Sequence, residues 1–172
     1  QLGHDVMNEL AKRGYEGVGS DLAPEYAGVA DNTAVTKAPY VALDITDAEA
    51  VDKVISKVKP DVVIHCAAWT AVDMAEDDDK VEAVRKVNVG GTQNIANVAK
   101  KLDVPMVYLS TDYVFDGQGT KPWEPDFKGY KPLNVYGETK LGGEKAVADI
   151  LDKYFIVRIA WVFGVNGSNF IK

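Results

Sequence analysis

The stretch Asp61-Val-Val-Ile-His-Cys-Ala67 limits the fold more than any other part of the chain. It is an almost unbroken apolar run that starts just after Pro60. A short run of this kind suits a parallel strand covered on both faces, because a strand with one wet face would alternate. Val104-Pro-Met-Val-Tyr-Leu-Ser110-Thr111 reads the same way and ends in two hydroxyls. Between the two runs a helical pattern extends from about Asp79 to Leu102. Parallel neighbours need a crossover of about this size.

The remaining segments repeat the alternation. Gln1 to Arg13 predicts a helix with Val6, Met7, Leu10 and Ala11 on its apolar face and Gly14 as its stop. Glu16 to Ser20 is a short strand that ends at Asp21, residues 22–39 are a surface loop, and Tyr40 to Leu43 is a second short strand. Thr46 and Glu49 have capping-box spacing. They open a helix whose buried stripe is Val51, Val54, Ile55 and Val58, and Pro60 ends it. Residues 112–134, rich in Gly and Pro, form a long loop of the kind that usually carries function. A helix from Tyr136 to about Leu151, a strand from Tyr154 to Ala160 and a turn at Gly164 to Gly167 close the chain. Strands alternating with helices predict an α/β fold built on a doubly wound parallel sheet.

The 172 residues make one domain or part of one. A net charge of −7 argues against non-specific binding to nucleic acid or to an anionic membrane. The single cysteine, Cys66, excludes an internal disulfide and fits a reducing cytoplasm. No apolar run has the length of a membrane span. The chain starts at Gln1 rather than Met, so its true N-terminus is expected to be missing.

The chemistry centres on Tyr136 and Lys140, which share one helix face at a spacing of four. An ammonium beside a phenol favours phenolate and lowers its pKa, which would make Tyr136 a general acid near neutral pH. The spacing alone is weak, since eight tyrosines and many lysines would produce such a pair by chance, and an exposed helix-face pair is the plain alternative. The upstream hydroxyls give it context. A strand-end hydroxyl followed by Tyr-x-x-x-Lys on a helix is an arrangement for carbonyl reduction. The hydroxyl holds the substrate oxygen, Tyr protonates it and Lys polarises Tyr.

Several motifs resemble, in order, those of the extended short-chain dehydrogenase/reductases, and among them the dTDP-4-dehydrorhamnose reductases. They are Cys66-Ala-Ala-Trp-Thr-Ala-Val-Asp73, Ser110-Thr-Asp-Tyr-Val-Phe-Asp-Gly117, Asn134-Val-Tyr-Gly-Glu-Thr-Lys-Leu-Gly-Gly-Glu144, Arg158-Ile-Ala-Trp-Val-Phe-Gly164 and the terminal Asn169-Phe170. The resemblance implies a Rossmann-type, partial NAD(P)-binding domain over residues 1–172. It also implies that the first strand, two phosphate-loop glycines and the C-terminal substrate domain are absent. Such a loss would weaken the stability and coenzyme affinity of this stretch on its own.

The same resemblance assigns roles. Gln1, Leu2 and Gly3 are the end of the phosphate loop, where a helix N-terminus attracts the anion. Asp21 would accept hydrogen bonds from both ribose hydroxyls of NADH and repel a 2′-phosphate, favouring NADH over NADPH. Asp44 and Ile45 would flank the adenine, while Ala67, Ala68 and Trp69 would run close to the nicotinamide ribose. Asn88 would brace the active-site backbone. Thr111, Tyr136 and Lys140 would be catalytic, with Tyr136 and Lys140 also on the coenzyme. Val72, Asp73, Thr111, Asp112, Tyr113 and Trp123 would meet the sugar nucleotide. For Trp123 the alternative is simply to pin its loop.

The implied reaction is reduction of the C4 ketone of dTDP-4-dehydro-6-deoxy-L-mannose to dTDP-L-rhamnose by NADH or NADPH. The enzyme would be cytoplasmic, with a homodimer and Mg²⁺ left open and no nucleic acid polymer or membrane as partner. Two rival readings stand beside it. One is another nucleotide-sugar reductase or epimerase on the same scaffold. The other is a catalytically silent NAD-binding regulatory subunit. His65 and Cys66, in an apolar strand, read as core. Glu76 to Asp79 read as acids at a helix start rather than metal ligands. His4 reads as solvent-facing, and Asn166-Gly-Ser168 as a turn.

Overall fold

The computed structural model describes residues 2–26, 38–164 and 171. Gln1, most of the loop 22–39, the Asn166-Gly-Ser168 turn and the Asn169-Phe170 motif lie outside the described residues. The chain is an α/β protein of Rossmann-like architecture, with parallel strands and intervening helices. It divides into two compact units, residues 1–44 with 161–172, and residues 45–160.

The first unit holds helix α1 (Leu2–Lys12) and the parallel pair β1 (Gly19–Asp21) and β2 (Tyr40–Ala42). Gly14 stops α1 as expected. It takes a left-handed φ of +79°, and the Tyr15 N–H turns back to the Leu10 carbonyl. His4, expected in solvent, is instead buried. Its ring stacks on Tyr26 at 5.5 Å and its Nε2 bonds the Asn8 amide at 2.8 Å. A partner from the loop that follows β1 covers it, and no local spacing in the sequence announces that contact.

The second unit is ordered around the three-stranded parallel sheet β3-β4-β5: β3 (Val63–His65), β4 (Met106–Thr111) and β5 (Tyr154–Ile159). Helices α2 (Ala48–Val58), α4 (Thr92–Leu102) and α5 (Val135–Ile150) pack in a row, and α5 lies against β4. On β4 the alternate residues Met106, Tyr108 and Ser110 are buried. The predicted coverage of both strand faces does not hold for β3. The strand is three residues long and Val62, just before it, is 42% exposed.

Two other expectations are corrected. Asp47, not Thr46, caps α2, its carboxylate accepting the N–H groups of Glu49 and Ala50. An acid one residue later reaches the free amides better, so the capping box does not form. Of the predicted stripe, Val51 is fully buried and Val58 is exposed, next to the left-handed Lys59 that ends the helix. The long helix is not uniform either. A 3₁₀ turn (Asp73–Glu76) precedes α3 (Val81–Arg85), and a π-helical stretch (Lys86–Gly91) joins α3 to α4. Among the described residues no helix is long and apolar enough to cross a membrane.

Candidate active site

Helix α5 starts at Val135, one residue before the predicted Tyr136. Asn134 is its N-cap, with its side-chain oxygen accepting the Gly137 N–H at 2.8 Å. Glu76 adds a second acceptor by taking the Val135 N–H at 2.6 Å. The acidic run therefore serves a helix start, though that of α5 rather than its own. α5 approaches its neighbours closely because its three glycines lack a side chain. A Cβ on Gly137 would lie 2.3 Å from the Tyr113 carbonyl oxygen, and one on Gly143 would lie 2.2 Å from the Tyr108 hydroxyl. These glycines let α5 carry Tyr136 down onto the end of β4.

At that end Thr111, Asp112, Tyr113 and Tyr136 come together. The half-buried Tyr136 phenol lies near enough to the Thr111 hydroxyl for that hydroxyl to lower its pKa. Thr111 Oγ1 also donates to Asp112 Oδ1 at 3.1 Å and accepts the Tyr113 N–H at 3.3 Å. The Tyr113 ring meets that of Tyr136 edge-on at 5.5 Å. The hydroxyl and phenol expected from the sequence are thus gathered at one strand end, each in contact with Tyr113.

Lys140 departs from expectation. It lies one turn from Tyr136, yet it is buried, and its ammonium donates to the Leu109 carbonyl at 2.7 Å and sits 4.2 Å above the Tyr108 ring. Burial lowers its pKa to about 8, against the pull of the Glu144 carboxylate, which raises it. Tyr136 is correspondingly not the lowered phenol that the spacing predicted. Burial pushes its pKa up and the nearby Thr111 hydroxyl lowers it, while Asp112 and Tyr113 add to the rise. Desolvation of the phenolate outweighs a cation that is engaged with a strand carbonyl. In this state the phenol keeps its proton at neutral pH.

Asn88, unexplained as a mid-helix Asn, is a brace. It lies in the π-helical stretch, the kind of distortion often found at functional sites. Its amide oxygen accepts the Trp69 N–H at 2.8 Å, and its nitrogen donates to the Trp69 carbonyl at 3.4 Å and to Thr139 Oγ1 at 3.0 Å. One buried side chain therefore ties the loop after β3 to α5, one residue before Lys140. His65 is buried as expected, bonded to Thr92 at 3.1 Å, and burial first, then the Lys140 charge, lowers its pKa to about 3. The half-buried Cys66 thiol is pushed up by burial.

The other sequence-predicted residues distribute as follows. Ala67 is exposed and Ala68 half-buried. Val72 is half-buried and exposed Asp73 opens the 3₁₀ turn. The Ile45 side chain packs against Gly91 and its carbonyl accepts from Asn94 at 2.9 Å. Trp123 joins a different group, stacked on Phe115 at 4.9 Å and Phe127 at 5.1 Å, which favours the loop-pinning role. Leu2, Gly3, Asp21 and Asp44 belong to the first unit. There Leu2 and Gly3 open α1, and Asp21 ends β1 as an exposed carboxylate whose Oδ1 accepts the Leu22 N–H at 2.7 Å.

The description "RmlD substrate binding domain" names a family model that matches residues 1–172. The chain belongs to this RmlD family. It is 43% identical over 130 residues to the dTDP-4-dehydrorhamnose reductase of Streptomyces griseus, covering 75% of this chain and 42% of that protein. It is also 43% identical over 131 residues to the dTDP-4-keto-6-deoxy-D-glucose reductase of Streptomyces niveus, covering 76% and 44%. Among solved structures, the dTDP-4-dehydrorhamnose reductase of Bacillus anthracis in complex with NADP superposes with a TM-score of 0.69 at 35% identity, over 78% of this chain and 49% of that one. The chain thus spans less than half the length of these RmlD relatives.

Sequence reasoning missed several residues that shape the site. Thr139, beside Lys140, anchors Asn88 and donates to the Tyr136 carbonyl at 3.0 Å, and its spacing carries no signal. Arg158 could have been found. A charge inside the apolar run Tyr154 to Ala160 needs a buried partner. It donates to both oxygens of buried Glu144, at 2.8 and 2.7 Å, and to the Tyr130 hydroxyl at 2.9 Å. That contact fastens the long loop to α5 and β5. Ser110 Oγ is buried without a hydrogen-bond partner among the described residues.

Proposed function

We propose that this chain carries the proton-donating machinery of a dTDP-sugar ketone reductase, acting on the C4 ketone of dTDP-4-dehydro-6-deoxy-L-mannose to give dTDP-L-rhamnose. The observation that carries the reading is the gathering of Thr111 and Tyr136 around Tyr113 at the end of β4, with Lys140 one helical turn away. The relatives named above supply the substrate class.

A nicotinamide coenzyme supplies hydride when bound. The residue types suit it within each unit taken by itself: in the first, a helix beginning at Leu2-Gly3 for phosphate and an exposed carboxylate at Asp21 for ribose, and in the second, small residues at Ala67 and Ala68 and an ammonium at Lys140. Asp44 and Ile45 are assigned to the adenine. Asp21 favours NADH, since a carboxylate accepts from ribose hydroxyls and repels a 2′-phosphate. Val72, Asp73, Asp112 and Tyr113 are assigned to the sugar nucleotide.

As the ketone becomes an alkoxide, negative charge grows on its oxygen, and two fixed hydroxyls meet it. Thr111 orients the oxygen. Tyr136, kept protonated by its burial, gives up its proton to it. The phenolate left behind needs a cation, and Lys140 supplies one once its ammonium leaves the Leu109 carbonyl. Asn88 holds the Trp69 backbone and Thr139 in place during these steps. The reaction belongs in the cytoplasm, where the Cys66 thiol stays reduced.

The Streptomyces niveus relative favours a second reading, in which the substrate is dTDP-4-keto-6-deoxy-D-glucose. A silent regulatory subunit is disfavoured by the intact set Thr111, Tyr136 and Lys140. The test is to incubate the purified protein with NADH and, in separate reactions, each keto sugar nucleotide, and to identify products by NMR. Formation of dTDP-L-rhamnose supports the first reading. Turnover of only the D-glucose derivative supports the second. Coenzyme binding without oxidation in either reaction overturns both.

A further inference from the structure

The end of β1 is held by one side chain that neither composition nor motif singled out. The Tyr40 hydroxyl donates to the Ala23 carbonyl at 2.6 Å and lies 3.2 Å from the Asp21 carbonyl. Tyr40 is the first residue of β2, and the parallel register sets it opposite Gly19, two residues before Asp21. Its hydroxyl therefore reaches past the end of its own pairing to grip the backbone on both sides of Leu22. Aromatic contacts reinforce the grip. The Tyr40 ring packs against Tyr26 at 5.9 Å, and Tyr26 stacks on buried His4 in α1. The Asp21 carboxylate is steadied locally by the Leu22 N–H, so the turn that Tyr40 holds also fixes the direction of that carboxylate.

We propose that Tyr40 is a specificity-determining positioning residue, whose hydroxyl holds the β1-end turn so that Asp21 distinguishes a ribose 2′-hydroxyl from a 2′-phosphate. This rests on the reading of Asp21 as the ribose carboxylate. A carboxylate gains two hydrogen bonds from a ribose diol only if it is fixed at one place. Repulsion of a 2′-phosphate tolerates more movement, because charge repulsion depends weakly on direction. Loosening the turn should therefore weaken NADH binding and leave NADPH binding nearly as it was.

Tyr40→Phe keeps the ring contact with Tyr26 and removes the hydroxyl alone. Dissociation constants for NADH and NADPH are measured by fluorescence titration of the purified protein, for wild type, Tyr40→Phe and Asp21→Ala. Tyr40→Phe should raise the NADH constant roughly 3- to 10-fold, the span expected for one or two hydrogen bonds, and change the NADPH constant less than about twofold. Asp21→Ala should move the same ratio further in the same direction. If Asp21→Ala shifts the ratio and Tyr40→Phe does not, the Tyr40 proposal is wrong and the ribose reading stands. Equal weakening of both coenzymes by Tyr40→Phe also overturns it, since that is what a merely structural residue would give. If Asp21→Ala leaves the ratio unchanged, the ribose reading fails and the proposal fails with it.

Discussion

On α5 and the end of β4 the groups with chemistry are buried or half-buried, and each has a named partner: Thr111 with Asp112, Tyr136 with the Tyr113 ring, Lys140 with the Leu109 carbonyl and the Tyr108 ring, Thr139 with Asn88, Glu144 with Arg158. At the end of β1 the residue assigned to chemistry, Asp21, is exposed, and what holds it is backbone geometry and one phenol. The difference follows from the tasks. A proton donor and its cation must work out of water, where each is expensive to leave unpaired, so they are embedded in a network. A carboxylate that reads ribose hydroxyls needs to be reachable and fixed in direction. Substitutions in the first region should therefore change rate and stability by large amounts, whereas substitutions in the second should change coenzyme choice.

Four variants sharpen this contrast. Lys140→Met should have the largest effect, lowering kcat/KM roughly 10²- to 10³-fold, the scale of losing one preorganised electrostatic group, and weakening NADH binding as well. It should not destabilise the fold near neutral pH. Its folded pKa of about 8 lies below the ordinary 10.5, so the buried ammonium opposes folding below pH 8. Between those values wild-type stability should rise with pH, and the Met variant should lack that rise. Steady-state kinetics and urea melts at pH 7 and 9.5 check both parts.

Glu144→Ala should come next, costing about 3 kcal/mol in urea unfolding because it leaves Arg158 without its buried partner. A loss below about 1 kcal/mol would mean that the pair behaves as a surface bridge. Thr111→Val should lower kcat by roughly 10- to 100-fold, less than loss of the proton donor, since one of two donors to the substrate oxygen remains. The smallest effect concerns His65. Its folded pKa of about 3 lies below the ordinary 6.5. Between those values the unfolded chain binds a proton that the native state refuses. Stability should therefore fall as pH drops from about 6.5 toward 3. His65→Gln should flatten that fall in melts compared at pH 7 and 4.5, and an unchanged slope would remove His65 from the account.

The same contrast explains how far the sequence could be read. The α/β alternation, the parallel strand at 106–111, the α5 helix to within a residue of its predicted start and the placing of Thr111 and Tyr136 at one strand end follow from local periodicity and spacing, and the structure has them. What escaped notice depends on contacts distant in sequence. His4 is buried by Tyr26, Glu76 reaches Val135 across 59 positions, and Asn88 reaches Thr139 across 51. The expected direction of the Tyr136 pKa failed for a related reason. Helical spacing says which residues share a face, but not that a strand carbonyl will take up the ammonium first or that burial will dominate the phenol.

The account stands on Tyr136 as the proton donor. Tyr136→Phe keeps the ring against Tyr113 and removes only the hydroxyl. The direct measurement is single-turnover reduction of dTDP-4-dehydro-6-deoxy-L-mannose by this variant, paired with an NADH titration. The predicted result is a rate lowered roughly 10²- to 10⁴-fold, the usual range for general acid catalysis, with NADH affinity nearly intact. Reduction at close to the wild-type rate would mean that the proton comes from another group, and the assignment of the β4–α5 site would be wrong.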